Sequence, residues 1–173
     1  MRRAALAVGC ALVLALAGCR TVPEEPGRGP GPSPYLRALA LPSVGPTPLD
    51  WNRLPGSVVL VSFFATWCFP CLAELPTLEA LQKEHGPRGF QVVLVGLDLD
   101  GAKVLEPFAD QYALNFPVLV SNEAMQNGRS PFGLIPSLPA TFLLDKEGQV
   151  AGAWQGMAGH SDVSRAVEKL LRR

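Results

Sequence analysis

The stretch "SVVLVSFFATWCFPCLAELP" (residues 57–76) places two cysteines, Cys68 and Cys71, where one hydrophobic pattern gives way to another. Residues 57–65 are mostly apolar and rich in β-branched and aromatic side chains, which predicts a short strand covered on both faces. Over residues 72–86 leucines recur at helical spacing until a glycine ends the run, which predicts a helix. The cysteine pair therefore lies at the turn from a central strand into a helix.

The chain beyond this helix keeps alternating between the two patterns. A second apolar run follows at residues 90–98, and the short connection between the two strands predicts a parallel β-α-β unit. In chain order we then predict a helix over 102–114 that is kinked or divided at Pro107, an antiparallel hairpin of residues 141–145 and 149–154, and a final helix with Ser161 as its N-cap. A chain of 173 residues with nearly half of them hydrophobic is expected to form one domain, here of the α/β class.

Two segments carry a specific likeness, "FFATWCFPCLAELP" (63–76) and "SLPATFLLDKEGQVAGAWQG" (137–156). They resemble the TlpA/ResA branch of the thioredoxin superfamily, a group of membrane-tethered thiol–disulfide oxidoreductases, and the likeness runs roughly over residues 35–171. The resemblance implies a thioredoxin-like fold, with a central mixed sheet flanked by helices. It implies a redox-active Cys68–Cys71 disulfide, with no other cofactor and no metal.

The position of the pair assigns different roles to the two cysteines. Unpaired backbone N–H groups and the helix dipole favour negative charge at a helix start, so the thiol of Cys68 is predicted to have a lowered pKa and to attack first. Cys71 lies one turn deeper and would resolve a mixed disulfide. Phe69 and Pro70 separate the two without adding charge, and Pro70 suits a first helical turn.

Two other interpretations of the pair are weaker. A disulfide that closes a four-residue loop restrains an unfolded chain little, and zinc needs further ligands that the distant His85 and His160 do not supply at metal-ligand spacing. We predict both histidines to be surface or helix-cap residues. The run Asp98-Leu-Asp100-Gly101 lacks the later ligands of a calcium loop and is predicted to be a turn at a strand end.

The resemblance also implies that the Leu138-Pro139 peptide bond is cis and lies against the cysteines, with an ordinary trans turn as the alternative. In that arrangement the backbone of Leu138 would pair with an extended substrate segment. Trp67 is predicted either to offer its flat face to a partner or to pack in the core. The residues expected to bind substrate are therefore Trp67, Phe69, Pro70, Leu138 and Pro139.

Glu74 follows Cys71 by one helical turn, so its carboxylate can approach that thiol and accept or relay its proton. A solvated glutamate on the helix face is the alternative. Ser62 occupies the strand position at which thioredoxins carry a buried aspartate, so another group would have to handle the Cys71 proton. Glu74 is therefore a third candidate catalytic residue.

The amino terminus has the pattern of a bacterial export signal. Two arginines precede an apolar run too short to span a membrane, and Leu16-Ala17-Gly18-Cys19 resembles a lipobox. We predict a signal peptide over 1–18, a lipid anchor at Cys19 with a Pro/Gly-rich tether to residue 34, and a thioredoxin-like domain over 35–173. A poorer lipobox ending at Cys10 and twin-arginine export are the alternatives.

Basic and acidic residues balance at fifteen each, so the sequence lacks the electrostatic footprint of a nucleic-acid binder. The expected function is a membrane-anchored extracytoplasmic oxidoreductase that reduces disulfides in exported proteins. The resemblance implies apocytochrome c as a candidate substrate and a transmembrane protein of the DsbD or CcdA type as the candidate thiol donor. The redox direction stays open.

Two other classes share enough features to be weighed. A copper(I)-delivery module would need only two soft thiolates. A peroxiredoxin shares the fold but needs a threonine three residues before its peroxidatic cysteine, whereas Thr66 lies two residues before Cys68. Disulfide exchange is therefore the function that the sequence favours.

Overall fold

The computed structural model describes residues 33–173, so the predicted signal peptide, the lipobox and most of the tether lie outside the described residues. The helices are α1 (Pro34–Ala38), α2 (Phe69–His85), α3 (Ala102–Tyr112), α4 (Glu123–Gln126) and α5 (His160–Leu171). The strands are β1 (Ser43–Val44), β2 (Val58–Phe64), β3 (Phe90–Gly96), β4 (Val118–Val120), β5 (Ala140–Leu144) and β6 (Val150–Gln155). None of the helices in this part of the chain is both long and apolar enough to cross a membrane.

The six strands found in residues 33–173 form one mixed sheet in the order β1-β4-β3-β2-β5-β6. Strand β3 pairs in parallel with β2 on one side and with β4 on the other. The hairpin of β5 and β6 adds to the free side of β2 in antiparallel fashion, and β1 closes the far edge antiparallel to β4. The predicted β-α-β unit, the hairpin and the mixed sheet flanked by helices are confirmed.

Strand β2 lies at the centre of the sheet, and all seven of its residues are buried. Its even-numbered apolar side chains, such as Leu60 and Phe64, face a core shared with α2, α3 and α5. Its odd-numbered ones, such as Val61 and Phe63, face a second core that includes Leu36 of α1. Helices or loops on both faces explain the nearly unbroken apolar run. The end of β2, where the cysteine turn starts, is thus held from both sides.

Two helix predictions are refined by the structure. Helix α3 runs unbroken through Pro107, so of the two predicted outcomes, a kinked or a divided helix, division is excluded. Helix α5 begins at His160, and its N-cap residue is Gly159, so the predicted N-cap at Ser161 is wrong. The reason is that the Gly159 carbonyl accepts from the N–H groups of Asp162 and Val163, both at 3.1 Å, which places Ser161 inside the first turn.

Helix α1 ties the start of the described residues to the hairpin. The hydroxyl of its cap residue Ser33 accepts from the Leu36 N–H at 3.1 Å and donates to the Gly148 carbonyl at 2.5 Å. Gly148 turns the hairpin at a φ of 74°, and a Cβ there would come within 2.6 Å of the Ser33 hydroxyl. The helix begins at Pro34, so packed structure reaches into the end of the segment predicted to be a tether.

Candidate active site

Cys68 and Cys71 lie where β2 passes into α2, and the two are joined as a disulfide. Cys68 is the N-cap of α2, with an extended backbone, and Pro70 occupies the first turn. The Cys71 backbone N–H donates to the Cys68 sulfur at 3.3 Å. A helix-start N–H directed at sulfur favours the thiolate over the thiol. The geometry therefore fits Cys68 as the attacking thiol.

A groove of about 610 Å³ runs past the pair. Cys68 contributes to its wall and Cys71 does not; the other lining residues are Trp67, Phe69, Pro70, Leu97 and residues 135–138. Cys68 is only 5 % exposed and Cys71 is 2 % exposed, so a partner reaches the sulfur through the groove. The groove also brings together the substrate-binding residues predicted from the sequence, apart from Pro139.

In the reduced protein, Cys68 is expected to react with iodoacetamide about tenfold faster than Cys71 at pH 7. A tenfold larger thiolate fraction corresponds to a thiol pKa that is lower by about one unit. The reason is that Cys68 lines the groove and accepts a helix-start N–H. The rates are measured by mass spectrometry on the single-cysteine variants Cys71→Ser and Cys68→Ser. Equal rates for the two thiols would contradict the assignment of Cys68 as the nucleophile.

Glu74 lies on α2 one helical turn after Cys71 and is buried, with 1 % of its surface exposed. One carboxylate oxygen accepts from the Ala158 backbone N–H at 2.7 Å. The other accepts from the Ser62 hydroxyl at 3.4 Å, and Ser62 in turn accepts from the Thr141 hydroxyl at 3.2 Å. The alternative of a solvated glutamate on the helix face is therefore wrong.

Burial raises the pKa of Glu74 above its ordinary value of 4.5, and the hydrogen bonds from Ala158 and Ser62 oppose that rise. A carboxyl group with a raised pKa exchanges protons nearer to neutral pH than a solvated one. Ser62 does occupy the buried strand position that the sequence suggested. Thr141 and the Ala158 N–H were not foreseen, because they come from residues far along the chain.

The Leu138-Pro139 peptide bond is cis, as the resemblance implied. It precedes β5, and Leu138 lines the groove together with Cys68. The Pro139 carbonyl accepts from the Gly156 N–H at 2.9 Å, which fixes this segment against the end of β6. The cis bond thus belongs to the wall of the groove opposite the start of α2.

Large apolar side chains stand exposed around the groove. Trp67 is 72 % exposed and Phe69 is 82 % exposed, so the alternative that Trp67 packs in the core is wrong. Leu99, Leu134 and Met157 are also exposed, and each is within two residues of a residue that lines the groove or contacts Glu74. Exposed apolar side chains beside a groove are typical of surfaces that bind another molecule.

Asp98 contacts the turn that leads into Cys68, and the sequence did not predict this contact. Asp98 is buried, and its carboxylate accepts from the Thr66 hydroxyl at 2.6 Å and from the Thr66 backbone N–H at 3.2 and 3.1 Å. The prediction of a turn at a strand end is confirmed, because the Asp98 carbonyl accepts from the Gly101 N–H at 3.0 Å. A position just past a parallel strand was the available signal for a site residue.

The two histidines differ in their surroundings. His160 begins α5 with a side chain 43 % exposed, as predicted. His85 is fully buried, so it is not a surface residue. It is the last residue of α2 and the N-cap of the 3-10 turn over Gly86–Arg88, without a side-chain capping bond, and its Nε2 contacts the Ser164 hydroxyl at 2.9 Å. Burial lowers the pKa of His85, against the opposing charge of Glu84. Within residues 33–173 no group of three or more metal-binding side chains comes together.

The fold and the site define a class: a thioredoxin-like domain with a CxxC disulfide at the start of the helix that follows its central strand. A family profile described as Redoxin matches residues 32–170, and the chain belongs to this family. Its relatives place it in the ResA-like group of that family.

The chain is 34 % identical over 117 residues to the thioredoxin-like protein YneN of Bacillus subtilis (strain 168), covering 65 % of each chain. It is 30 % identical over 125 residues to the thiol-disulfide oxidoreductase ResA of Bacillus thuringiensis subsp. konkukian (strain 97-27), covering 70 % of this chain and 68 % of ResA. The chain spans less than two thirds of the length of YneN and of several of the ResA proteins it matches.

Among solved structures, a thiol:disulfide interchange protein of the thioredoxin family from Chlorobium tepidum TLS superimposes with a TM-score of 0.61 at 27 % identity. The match covers 76 % of this chain and 94 % of that one. The confirmed fold is therefore shared with proteins whose names describe disulfide exchange.

Proposed function

We propose that the protein is an extracytoplasmic thiol–disulfide oxidoreductase that reduces disulfides in exported proteins. The observation that carries the proposal is the placement of Cys68, whose sulfur accepts a helix-start N–H and lines an apolar groove. The curated relatives named ResA are called thiol-disulfide oxidoreductases, which supports the same activity here.

The reaction begins with the reduced pair. The Cys68 thiolate attacks one sulfur of a substrate disulfide, forms a mixed disulfide and releases the other substrate sulfur as a thiolate, which takes a proton from solvent. Cys71 then gives its proton to the Glu74 carboxylate and attacks the Cys68 sulfur. The second substrate sulfur leaves as a thiolate and takes up a proton, which Glu74 can return, so the substrate gains two electrons and two protons and the protein keeps the Cys68–Cys71 disulfide. A dithiol donor outside this chain must reduce that disulfide before the next turnover.

The groove suits an extended polypeptide segment around a substrate cysteine. Among residues 33–173, none that lines the groove is charged, and the exposed rings of Trp67 and Phe69 offer apolar contact. The backbone of Leu138 would pair with the segment in the manner of an added strand. Unfolded or partly folded exported proteins present such segments, and apocytochrome c is one candidate among them.

Attachment to a membrane through a lipid on Cys19 is part of the proposal, and it rests on the lipobox. The tether would hold the domain near a transmembrane thiol donor of the DsbD or CcdA type. Radiolabelled fatty acid should be incorporated by the wild-type chain and not by a Cys19→Ser variant. Labelling of both chains, or of neither, would remove the lipid from the proposal.

The reduction potential tests the direction of exchange. We expect the Cys68–Cys71 couple to lie nearer to thioredoxin, at about −270 mV, than to the oxidant DsbA, at about −120 mV. The purified domain is equilibrated with glutathione buffers, and the fraction oxidised is read from thiol alkylation or tryptophan fluorescence. A value near that of DsbA would overturn reduction as the physiological direction and leave the exchange chemistry in place.

A further inference from the structure

Both carboxylate oxygens of Asp98 accept hydrogen bonds from one residue, Thr66, which lies two positions before Cys68. The oxygen Oδ1 accepts from the Thr66 hydroxyl at 2.6 Å and from the Thr66 N–H at 3.2 Å, and Oδ2 accepts from the same N–H at 3.1 Å. Asp98 is 5 % exposed. The hydroxyl bond has the short length typical of a bond to a carboxylate, whereas the N–H is shared between the two oxygens at longer distances.

This contact continues the link between β2 and β3 past their ladder. The last backbone bond of the two strands joins the Leu97 N–H to the Phe64 carbonyl at 2.8 Å. Thr66 lies two residues after Phe64, and it donates hydrogen bonds to the Asp98 carboxylate. The turn is then closed by the Cys68 N–H, which donates to the Ala65 carbonyl at 3.0 Å. The backbone that leads into Cys68 is therefore hydrogen-bonded to the segment that follows β3.

The consequence for Cys68 follows from its role as N-cap. Its sulfur accepts the Cys71 N–H only while its own backbone stays extended, at a φ of −86° and a ψ of 97°. A residue fixed two positions earlier limits the rotations that would turn the sulfur away from the helix start. The hydrogen bonds from Thr66 to Asp98 thus keep the Cys71 N–H in a position to donate to the Cys68 thiolate.

We propose that Asp98 is a positioning residue that, through Thr66, holds Cys68 in its N-cap geometry and so keeps its thiol acidic and reactive. The proposal rests on the proposed function in that Cys68 is the attacking thiol. The negative charge of Asp98 acts in the opposite direction, because a nearby carboxylate disfavours a thiolate. Removing the hydrogen bonds and removing the charge should therefore move the reactivity of Cys68 in opposite directions.

The experiment measures the rate of Cys68 alkylation by iodoacetamide against pH, in a Cys71→Ser background so that one thiol reports. Asp98→Ala should raise the pKa of Cys68 by about half a unit or more, which lowers the thiolate fraction at pH 6 about threefold. Asp98→Asn keeps an oxygen that accepts from Thr66, so its curve should stay in place or move to lower pH. Asp100→Asn changes an exposed carboxylate of the same loop and should leave the curve unchanged.

A second pair of variants keeps the test valid if Asp98→Ala does not fold, as judged by thermal unfolding. Thr66→Val removes the hydroxyl and should shift the rate curve to higher pH. Thr66→Ser keeps a hydroxyl, so its curve should match that of the Cys71→Ser protein. A downward shift in both Asp98 variants would show that only the charge matters, and unchanged curves in both would show that the contact does not act on Cys68; either result overturns the proposal. Alkylation needs no protein substrate, so a failure of the wild type to reduce insulin would sink the proposed function without touching this result.

Discussion

Replacing Cys68 by serine is expected to abolish disulfide reduction, with a loss of at least about 10³-fold, because a covalent mechanism has no path without its nucleophile. Replacing Cys71 by serine should have a different result. The attacking thiolate remains, but nothing attacks the Cys68 sulfur from inside the protein, so substrates accumulate as mixed disulfides. The two variants lie one helical turn apart, yet only one of them should trap partners.

The measurement is insulin reduction for activity, and non-reducing gel electrophoresis for adducts that disappear on adding dithiothreitol. The matched control is the Cys71→Ser protein alkylated beforehand at Cys68, which should form no adduct. Adducts that form with Cys68→Ser and not with Cys71→Ser would reverse the roles of the two cysteines. The same trapped adducts, identified by mass spectrometry, would name the natural substrates.

The elements around the site could be predicted because their patterns are long and strong. Strand β2 is apolar on both faces, since both faces are covered, and α2 carries leucines at helical spacing on its buried side. Strands β1 and β4, with two and three residues, are too short to show an alternation of their own. Their place in the sheet is fixed by partners across the fold, which no local pattern encodes.

The chemistry of the pair was readable from the sequence, whereas its supporting contacts were not. The cysteine spacing and the strand-to-helix turn lie within one stretch of chain. Glu74 meets Ala158 across 84 positions, and Thr66 meets Asp98 across 32, so both contacts depend on the finished fold. His85 shows the same limit, because a polar residue at a helix end reads as exposed until α5 covers it through Ser164.

Glu74→Gln is expected to slow the resolving step about 10²-fold at pH 7, the lower end of what general-base catalysis contributes. The amide keeps an oxygen that accepts from the Ala158 N–H but cannot take a proton from Cys71. The wild-type rate should rise with pH through the raised pKa of Glu74, and that rise should be missing in the variant. Single-turnover release of substrate from the preformed mixed disulfide measures this step, and superimposable pH curves would contradict the role.

Stability against pH separates this mechanism from damage to the helix. Because burial raises the folded-state pKa of Glu74 above the ordinary value of 4.5, the native state holds a proton that the unfolded chain has released. The stabilising contribution of the protonated group is therefore complete below about pH 4.5 and is lost as pH rises through the folded pKa. Glutamine does not titrate, so the unfolding free energy of the variant should gain on that of the wild type as pH rises.

The two measurements together decide what the buried carboxylate is for. Suppose that Glu74→Gln has a slower resolving step with a flat pH dependence and is more stable than the wild type at pH 8. The Glu74 carboxylate would then lower the folding stability and be needed for disulfide exchange. Ser62→Ala is the matched control, since it removes one hydrogen bond to the carboxylate and leaves the titrating group. It should move the rate curve to higher pH without removing its rise, because a carboxylate with fewer donors holds its proton more tightly. If Glu74→Gln instead lost rate and stability together at every pH, the carboxylate would be a packing element of α2, and Cys71 would have to lose its proton to another group.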